Sequence, residues 1–299
     1  MNPNKINTGA CSIVLGSGHY GTFVPEKKNK LFKVTKIIEK HNEFKYLSDV
    51  REIEGYENYF SIPEEEMHLI KPDTEFYNHL IKLTQYDNMC IFDGDLSGFY
   101  ITDAGDNDMI NSIADMEIYG NFNFWKSYKI IYGFMGFMLD ALSFLHKKNI
   151  CHLDIKPENI MVNSITNQFR IIDFGFASKE PFADYLNDIK GTPGYFPKYF
   201  NFEKPTPWLP KIEANDMIPV DGIIPFMKNP KLVYKIDSYC LGRVFYYLKC
   251  VYDLNKQYMC FNMERKLGYK IDYIISLLTE NDVFKRNTII ECRKLFLEN

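Results

Sequence analysis

The sequence predicts an α+β protein with two unequal parts, a small one of antiparallel strands with one main helix and a larger one that is mostly helical. Residues 9–37 alternate short apolar runs with glycines, a pattern typical of strands joined by tight turns. Between residues 127 and 146 the apolar side chains recur about every 3.6 positions, which predicts one long buried helix. We therefore expect a small lobe over residues 1–104 and a large lobe over residues 105–299.

The shorter elements are predicted from the same kinds of pattern. Residues 39–53 have a helical spacing of apolar side chains that ends at Gly55, so they should form the main helix of the small lobe. Residues 59–62 and 98–102 are predicted to be short strands. Residues 193–230 hold eight of the fourteen prolines, which predicts an irregular segment rich in loops.

The charge balance argues against a general polyanion or membrane binder. Lys and Arg total 35 against 39 Asp and Glu, giving a formal net charge of −4, so we expect no direct nucleic-acid binding. The longest uncharged run of the most apolar region, residues 130–139, is half of the ~20 residues that a bilayer crossing needs. The first residues also lack the order of a signal peptide, and we expect no membrane segment.

The seven cysteines are odd in number, scattered, and never spaced as Cys-x-x-Cys. This spacing makes a disulfide framework or a zinc site a poor interpretation and favours reduced thiols. We expect a monomer in the cytoplasm.

One stretch carries the residue types that phosphoryl transfer requires. His152 to Asn159 reads His-Leu-Asp-Ile-Lys-Pro-Glu-Asn, and Asp173-Phe174-Gly175 follows shortly after it. Such a transfer needs an aligned hydroxyl, neutralised phosphate oxygens and metal ligands around them. A carboxylate, a lysine and an amide at this spacing can supply all three.

The two motifs, in this order, resemble the catalytic loop and the Asp-Phe-Gly motif of eukaryotic-type protein kinases. The resemblance implies a bilobal protein-kinase-like fold, with ATP and Mg²⁺ as cofactors. It also implies that Asp154 orients the acceptor hydroxyl, that Lys156 reaches the transferred phosphate, and that Asn159 and Asp173 hold magnesium. In this family a lysine at the position of Lys156 marks enzymes that act on serine and threonine.

A glycine-rich segment near the start resembles the loop with which these kinases cover the ATP phosphates, since a strand precedes it and another follows. Phe23 stands where the family usually has valine against the adenine, and Val24 is a substitute if the strand is shifted. The nucleotide-binding residues that this resemblance implies are Leu15, Gly16, Ser17, Gly18, His19, Tyr20, Gly21 and Phe23.

The resemblance also implies a phosphate-binding lysine on the next strand and a glutamate partner on the helix. Lys33 fits the strand position, with Lys36 as its competitor. Glu43 is the favoured partner, and Glu52 is the alternative.

The hinge that receives adenine should follow the strand at residues 99–101. Thr102, Asp103 and Ala104 would offer backbone donors and acceptors there, and Asp108 could meet the ribose. A solvated loop is an almost equal interpretation of these positions.

The large lobe departs from the family at two places. Leu153 replaces the arginine that helps to collect a phosphorylated loop, so we expect activity without loop phosphorylation. Lys198 stands where a glutamate normally pairs with a buried arginine, here Arg286, so either another acid such as Glu203 replaces it or Arg286 is exposed.

Three further contacts in the large lobe are implied by the resemblance. Thr192, in a loop that would face the substrate, should hydrogen-bond toward Asp154 and Lys156. Asp237 should tie down the backbone of the catalytic loop, and His152 should make a structural hydrogen bond within that loop.

These features predict a serine/threonine protein kinase that transfers the γ-phosphate of ATP to protein substrates. A pseudokinase acting as a scaffold and a small-molecule kinase of the aminoglycoside or choline type are the alternatives. Kinases of large DNA viruses show comparable compact or rewritten patterns, so we expect this chain to belong to that branch and to act in the host-cell cytoplasm.

Overall fold

The computed structural model describes backbone residues 5–7, 13–15, 30–36, 45–62, 68–69, 97–103, 107–108, 128–163, 166, 168–187, 189–192, 194–197, 224–255 and 264–298. The chain divides into two units. Unit 1 comprises Met1–Ser48, Glu57–Asn111 and Glu158–Gly175, and unit 2 comprises Asp49–Tyr56, Ser112–Pro157 and Phe176–Asn299. The simple boundary after residue 104 stays a prediction.

The described strands are β1 (Lys5–Asn7), β2 (Ile13–Leu15), β3 (Lys30–Lys36), β4 (His68–Leu69), β5 (Ser97–Asp103), β6 (Asn107–Asp108), β7 (Ile150–Cys151), β8 (Ile160–Asn163), β9 (Gln168–Ile171) and β10 (Ser178–Lys179). The described α-helices are α1 (Leu47–Arg51), α2 (Tyr128–Lys147), α3 (Ala183–Asn187), α4 (Ile224–Lys228), α5 (Tyr234–Asn255), α6 (Glu264–Leu278) and α7 (Ile289–Glu298). Short 3-10 helices cover Tyr56–Asn58, Pro157–Asn159 and Pro230–Val233.

Unit 1 contains an antiparallel sheet of five strands in the order β1-β2-β3-β5-β4. The predicted strand around residues 98–102 is confirmed, and its register with β3 places Tyr100 opposite Lys33. A second antiparallel sheet in the same unit has the order β6-β8-β9. The predicted α+β mixture of antiparallel strands and helices is therefore confirmed.

The predicted strand over residues 59–62 is wrong. The chain forms a 3-10 turn up to Asn58, and then only Phe60 makes a single parallel bridge to Ile171. Ser61 N–H donates to the carbonyl of Ile171 at 2.9 Å, and Ile171 N–H donates to the carbonyl of Tyr59 at 2.8 Å. The apolar character of this segment serves packing, because the buried Phe60 ring meets the Phe174 ring edge to face at 5.8 Å.

Two other predictions are settled in part by the described residues. The predicted helix over residues 39–53 is helical at α1, and its residues before position 45 lie outside the described part. The segment 193–230, predicted to be rich in loops, forms the helix α4 near its end, while residues 198–223 lie outside the described part.

Unit 2 is built around α2, the long helix that the periodicity predicts. Eight of its apolar residues lie in the core, namely Ile131, Phe134, Met135, Met138, Leu139, Ala141, Leu142 and Leu145. Helix α2 contacts α5, α6 and α7, and the ring of Phe134 meets that of Phe245 on α5 at 6.0 Å. Gly242 lets α5 approach α6, because a Cβ atom there would lie 2.6 Å from Thr279 Cγ2 and 2.9 Å from Leu278 Cβ. Among the described helices, none combines the length and the apolar character needed to cross a bilayer.

The cysteines of the described residues are free thiols with different exposure. Cys151, Cys240 and Cys292 are buried, whereas Cys250 is partly exposed. Burial raises the pKa of Cys151 and of Cys240 well above the ordinary value, and the Asp237 carboxylate adds to both shifts. Burial likewise raises the pKa of Cys292 to about 12.

We predict that iodoacetamide modifies Cys250 of the native protein at pH 8.5 much faster than the three buried cysteines. The raised pKa values keep the buried groups as thiols, and the thiolate is the reactive form. A time course with peptide mass mapping measures each site, and protein unfolded in urea provides the control in which all sites react. Equal native rates at Cys151 and Cys250 would contradict the prediction.

Candidate functional site

The carboxylate of Asp237, in the first turn of α5, organises the backbone of residues 152–153. Its Oδ2 accepts a hydrogen bond from His152 N–H at 2.9 Å, and its Oδ1 accepts one from Leu153 N–H at 2.7 Å. The Nε2 atom of His146 lies 2.9 Å from the same Oδ2. Because Asp237 is 0% exposed, these contacts replace its lost hydration. The predicted role of Asp237 is confirmed.

Leu153 needs this support because its backbone is in the left-handed region, with φ of 65°. Such a conformation in a non-glycine residue costs of the order of 1 kcal/mol. The Leu153 side chain itself is buried in the core. The Asp237 hydrogen bond to its N–H therefore fixes a strained residue directly before Asp154.

His146, Cys151 and Asp237 place potential metal-binding atoms within 4.8 Å of one another. The Asp237 oxygens already accept two backbone N–H groups and contact His146. The cluster is therefore explained as a hydrogen-bonded support for the loop.

Asp154, Lys156 and Thr192 form the central polar group of unit 2. Thr192 Oγ1 donates to Asp154 Oδ1 at 2.5 Å, and Lys156 Nζ donates to Thr192 Oγ1 at 2.9 Å. Lys156 Nζ also lies 2.8 Å from Asp154 Oδ2. The contacts predicted for Thr192 are confirmed, and the three side chains hold a carboxylate and a cation side by side.

The backbone around this group is held by short-range contacts. Asp154 N–H donates to His152 Nδ1 at 3.3 Å, which confirms the structural hydrogen bond predicted for His152. The N–H groups of Tyr195 and Phe196 both donate to the carbonyl of Thr192, at 3.2 and 3.0 Å. This turn, which uses the φ of 90° at Gly194, presents Thr192 toward Asp154.

A second group, in unit 1, brings Asn159 and Asp173 to the same end of a β-hairpin. Strands β8 and β9 pair Ile160 with Ile171, and Ile172 N–H donates to the carbonyl of Asn159 at 3.0 Å. Asp173 has φ of 70°, and its Oδ1 accepts the Gly175 N–H at 3.1 Å. The antiparallel register therefore explains why two residues fourteen positions apart approach each other.

The donor chemistry of this second group fits the magnesium ion that the resemblance implies. An amide oxygen from Asn159 and a carboxylate from Asp173 are hard oxygen ligands, which Mg²⁺ prefers. Neither thiolate nor imidazole belongs to the pair.

The segment after Asp173 is attached within unit 2 by several contacts. Its strand β10 pairs with β7, which lies directly before residues 152–159, and places Ser178 opposite Cys151. Lys179 Nζ lies 2.6 Å from Asp49 Oδ1, and Tyr234 O–H donates to Glu180 Oε2 at 3.1 Å. Burial and the Glu180 carboxylate raise the pKa of Tyr234, so its hydroxyl remains a donor.

Arg286 is buried, with 1% of its surface exposed, so the predicted alternative of an exposed Arg286 is wrong. Its guanidinium donates from Nε to the carbonyl of Glu280 at 2.7 Å and from Nη1 to the carbonyl of Lys235 at 3.0 Å. It also lies over the Tyr239 ring at 4.8 Å. Glu203, the predicted substitute acid, lies outside the described residues.

The residues predicted to bind the nucleotide are described only in part. Lys33 lies in β3, and Thr102 and Asp103 belong to β5 and pair with β3. Asp108 lies in β6 opposite Met161. Leu15 ends β2. The predicted residues outside the described part are Gly16, Ser17, Gly18, His19, Tyr20, Gly21, Phe23, Glu43 and Ala104. The alternative partner Glu52 lies 3.6 Å from Lys148 Nζ.

Sequence reasoning missed His146, Tyr234 and the Lys179–Asp49 pair. The helical pattern of α2 predicts that His146 faces the core. Its partner, the Asp237 carboxylate, is 91 positions away in the sequence and could not be predicted from that pattern. Asp49 and Lys179 are 130 positions apart, and neither stands in a motif.

The chain matches the family model of the protein kinase domain over residues 113–198. It is 47% identical over 58 residues to the phosphorylase b kinase gamma catalytic chain, liver/testis isoform, of Mus musculus, a match that covers 19% of this chain and 14% of the relative. It is 43% identical over 79 residues to calcium-dependent protein kinase 5 of Plasmodium falciparum (isolate 3D7), covering 26% of this chain and 13% of the relative. Both matches therefore span a small part of each relative's length.

A solved structure, that of the ROP18 kinase domain in complex with AMP-PNP and sucrose, has a similar fold. The TM-score is 0.54 at 15% sequence identity, and the alignment covers 98% of this chain and 78% of the other. Likeness at this identity establishes the fold, and the predicted kinase-like α+β fold is confirmed.

We predict that Asp237→Asn lowers the free energy of unfolding by about 2 to 4 kcal/mol. An amide in place of the carboxylate turns its NH₂ group toward one of the backbone N–H donors, whichever way it is oriented. Urea unfolding measures the loss. Asp272→Asn is the matched control, since Asp272 is half exposed and pairs with Lys249 at the surface. An unchanged midpoint for Asp237→Asn would contradict the assigned role.

Proposed function

Because the chain belongs to the eukaryotic-type protein kinase superfamily, we propose that it transfers the γ-phosphate of ATP to serine and threonine hydroxyls of protein substrates. The observation that carries the proposal is the contact set of Asp154, Lys156 and Thr192. A carboxylate held between a hydroxyl and a cation can orient an acceptor hydroxyl and stabilise the charge that develops on a phosphoryl group.

In the proposed reaction Asp154 accepts the proton of the acceptor hydroxyl. The hydroxyl oxygen forms a bond to the γ-phosphorus, and the bond from that phosphorus to the ADP oxygen breaks. Lys156, with 5% of its surface exposed, sits where its charge is poorly screened and can neutralise the transferred phosphate oxygens. Thr192 keeps the carboxylate and the ammonium aligned.

Asn159 and Asp173 would hold magnesium beside the phosphates. When bound, the ion neutralises phosphate charge. The hairpin pairing and the Ile172 hydrogen bond to the Asn159 carbonyl keep these two oxygen donors in a fixed register.

The preference for serine and threonine rests on Lys156 and its contact with Thr192, together with the family resemblance. In the same proposal Lys33, with Glu43 or Glu52, and the glycine-rich segment contact the ATP phosphates, while Thr102, Asp103, Ala104 and Asp108 contact its adenosine. The free thiols among the described residues support a reducing compartment such as the cytoplasm.

We predict that Asp154→Asn lowers kcat by at least about a hundredfold, because the amide cannot accept the hydroxyl proton. Incorporation of labelled phosphate from ATP with magnesium into protein and peptide substrates measures the effect. Asp272→Asn, which removes a carboxylate from a surface pair, should retain the wild-type rate. Transfer that survives Asp154→Asn would overturn the assignment, and ATP binding without any transfer would favour the scaffold alternative.

We also predict that phosphatase treatment leaves the activity within about twofold of its starting value. Leu153 provides no cation for a phosphorylated loop, and the segment after Asp173 is held without phosphate by Lys179, Asp49, Tyr234 and Glu180. Mass spectrometry before and after treatment checks that phosphate has been removed. Loss of activity that returns on incubation with ATP would contradict the prediction.

A further inference from the structure

Arg243 places a cation beneath the loop that contains Thr192. It lies on α5 and has 5% of its surface exposed. Its Nε donates to the carbonyl of Gly194 at 3.0 Å, and its guanidinium carbon lies 5.6 Å from the centre of the Tyr246 ring. The guanidinium is therefore held against Gly194, which follows Thr192 by two residues, and Thr192 in turn contacts Asp154.

The charge of Arg243 is not balanced locally. Its Nη1 atom is buried without a hydrogen-bond partner. Within the described part of the chain no carboxylate forms an ion pair with it, whereas the comparably placed cation of Lys156 has Asp154. A buried cation without a counter-charge is unfavourable, and an approaching anion lowers this cost.

The described part of the loop above Arg243 carries no acidic side chain. Residues 189–192 and 194–197 contain neither Asp nor Glu, and Lys190, directly before Gly191, is exposed. A carboxylate on a bound peptide would therefore meet no like charge from this part of the loop.

We propose that Arg243 is a specificity residue that favours acceptor peptides with a carboxylate within two residues of the phosphorylated hydroxyl. The proposal rests on the proposed kinase activity. Thr192 hydrogen-bonds to Asp154, and Gly194 of the same loop accepts a hydrogen bond from Arg243. A peptide whose acceptor hydroxyl contacts Asp154 would therefore bind beside the loop under which Arg243 lies. A carboxylate on such a peptide would be attracted to the Arg243 charge, which water screens poorly because the side chain is buried. This attraction would favour acidic over neutral peptides.

A purely structural role makes a different prediction. If Arg243 only held the Gly194 carbonyl, its loss would disturb the loop and would lower transfer to every peptide by the same factor. A specificity role changes the ratio between acidic and neutral peptides. The ratio therefore separates the two roles.

The test uses the full chain and a peptide set with one serine flanked by alanines and by Asp, Lys or Ala at each of the two positions on either side. The value of kcat/KM is measured for wild type, Arg243→Met, Arg243→Lys and Arg293→Met. Arg293 is the matched control, because it also loses one charge but pairs with Asp140 on α2. Fluorescence anisotropy with the same peptides carrying alanine at the acceptor position reports binding independently of chemistry.

Wild type should prefer the best Asp peptide over the neutral one by about five- to tenfold, the scale of a partly desolvated charge pair. Arg243→Met should remove most of this ratio, while Arg243→Lys and Arg293→Met should retain it. Lower ionic strength should increase the ratio for wild type.

Several results would overturn the inference. Wild type that transfers phosphate equally to acidic and neutral peptides refutes it while leaving the kinase activity intact, and this outcome needs no variant to fold. An equal loss of transfer to all peptides in Arg243→Met assigns a structural role instead. Absence of transfer to every peptide refutes the proposed function. In that case the anisotropy measurement still tests the acidic preference, and equal affinity of wild type for acidic and neutral peptides would refute it.

Discussion

The interaction on which the rest of unit 2 depends is the set of hydrogen bonds to Asp237. One carboxylate, fixed at the start of a long core helix, determines the path of the backbone at His152 and Leu153. That path holds Leu153 in a strained left-handed conformation and brings Asp154 to Thr192 and Lys156. The buried charge is stabilised by these hydrogen bonds, and its backbone donors remain when the side chains at positions 152 and 153 change. The position of residues 152–154 therefore depends on the position of α5.

In unit 1, strand pairing rather than a buried carboxylate positions the candidate site residues. Asn159 and Asp173 stand at the open end of the β8–β9 hairpin, where strand register and the Ile172 N–H fix their spacing. The bridge between Phe60 and Ile171, and the contact of Phe60 with Phe174, attach a neighbouring segment to this hairpin. Oxygen donors suited to magnesium thus lie directly beside paired strands, which hold their backbone in register.

The sequence could predict the parts in which chemistry and local pattern coincide. Periodicity predicted α2 because a helix with a buried face must repeat its apolar residues, and the motifs identified Asp154, Asn159, Asp173 and Thr192. The prediction failed at residues 59–62, where aromatic side chains serve a ring contact and a single bridge. The sequence singled out Arg286 but did not predict its acceptors, since the backbone carbonyls that accept its hydrogen bonds leave no mark in a sequence. Arg243 was overlooked because an arginine within an apolar helical pattern looks like a surface residue.

The carbonyl contacts of Arg286 have a consequence for sequence variation. Glu280 and Lys235 contribute only their main-chain oxygens to the guanidinium, and every amino acid carries that oxygen. These two contacts with Arg286 therefore do not depend on which side chains stand at positions 235 and 280, as long as the backbone keeps its course. Side-chain changes at positions 235 and 280 can therefore accumulate without the loss of these two acceptors.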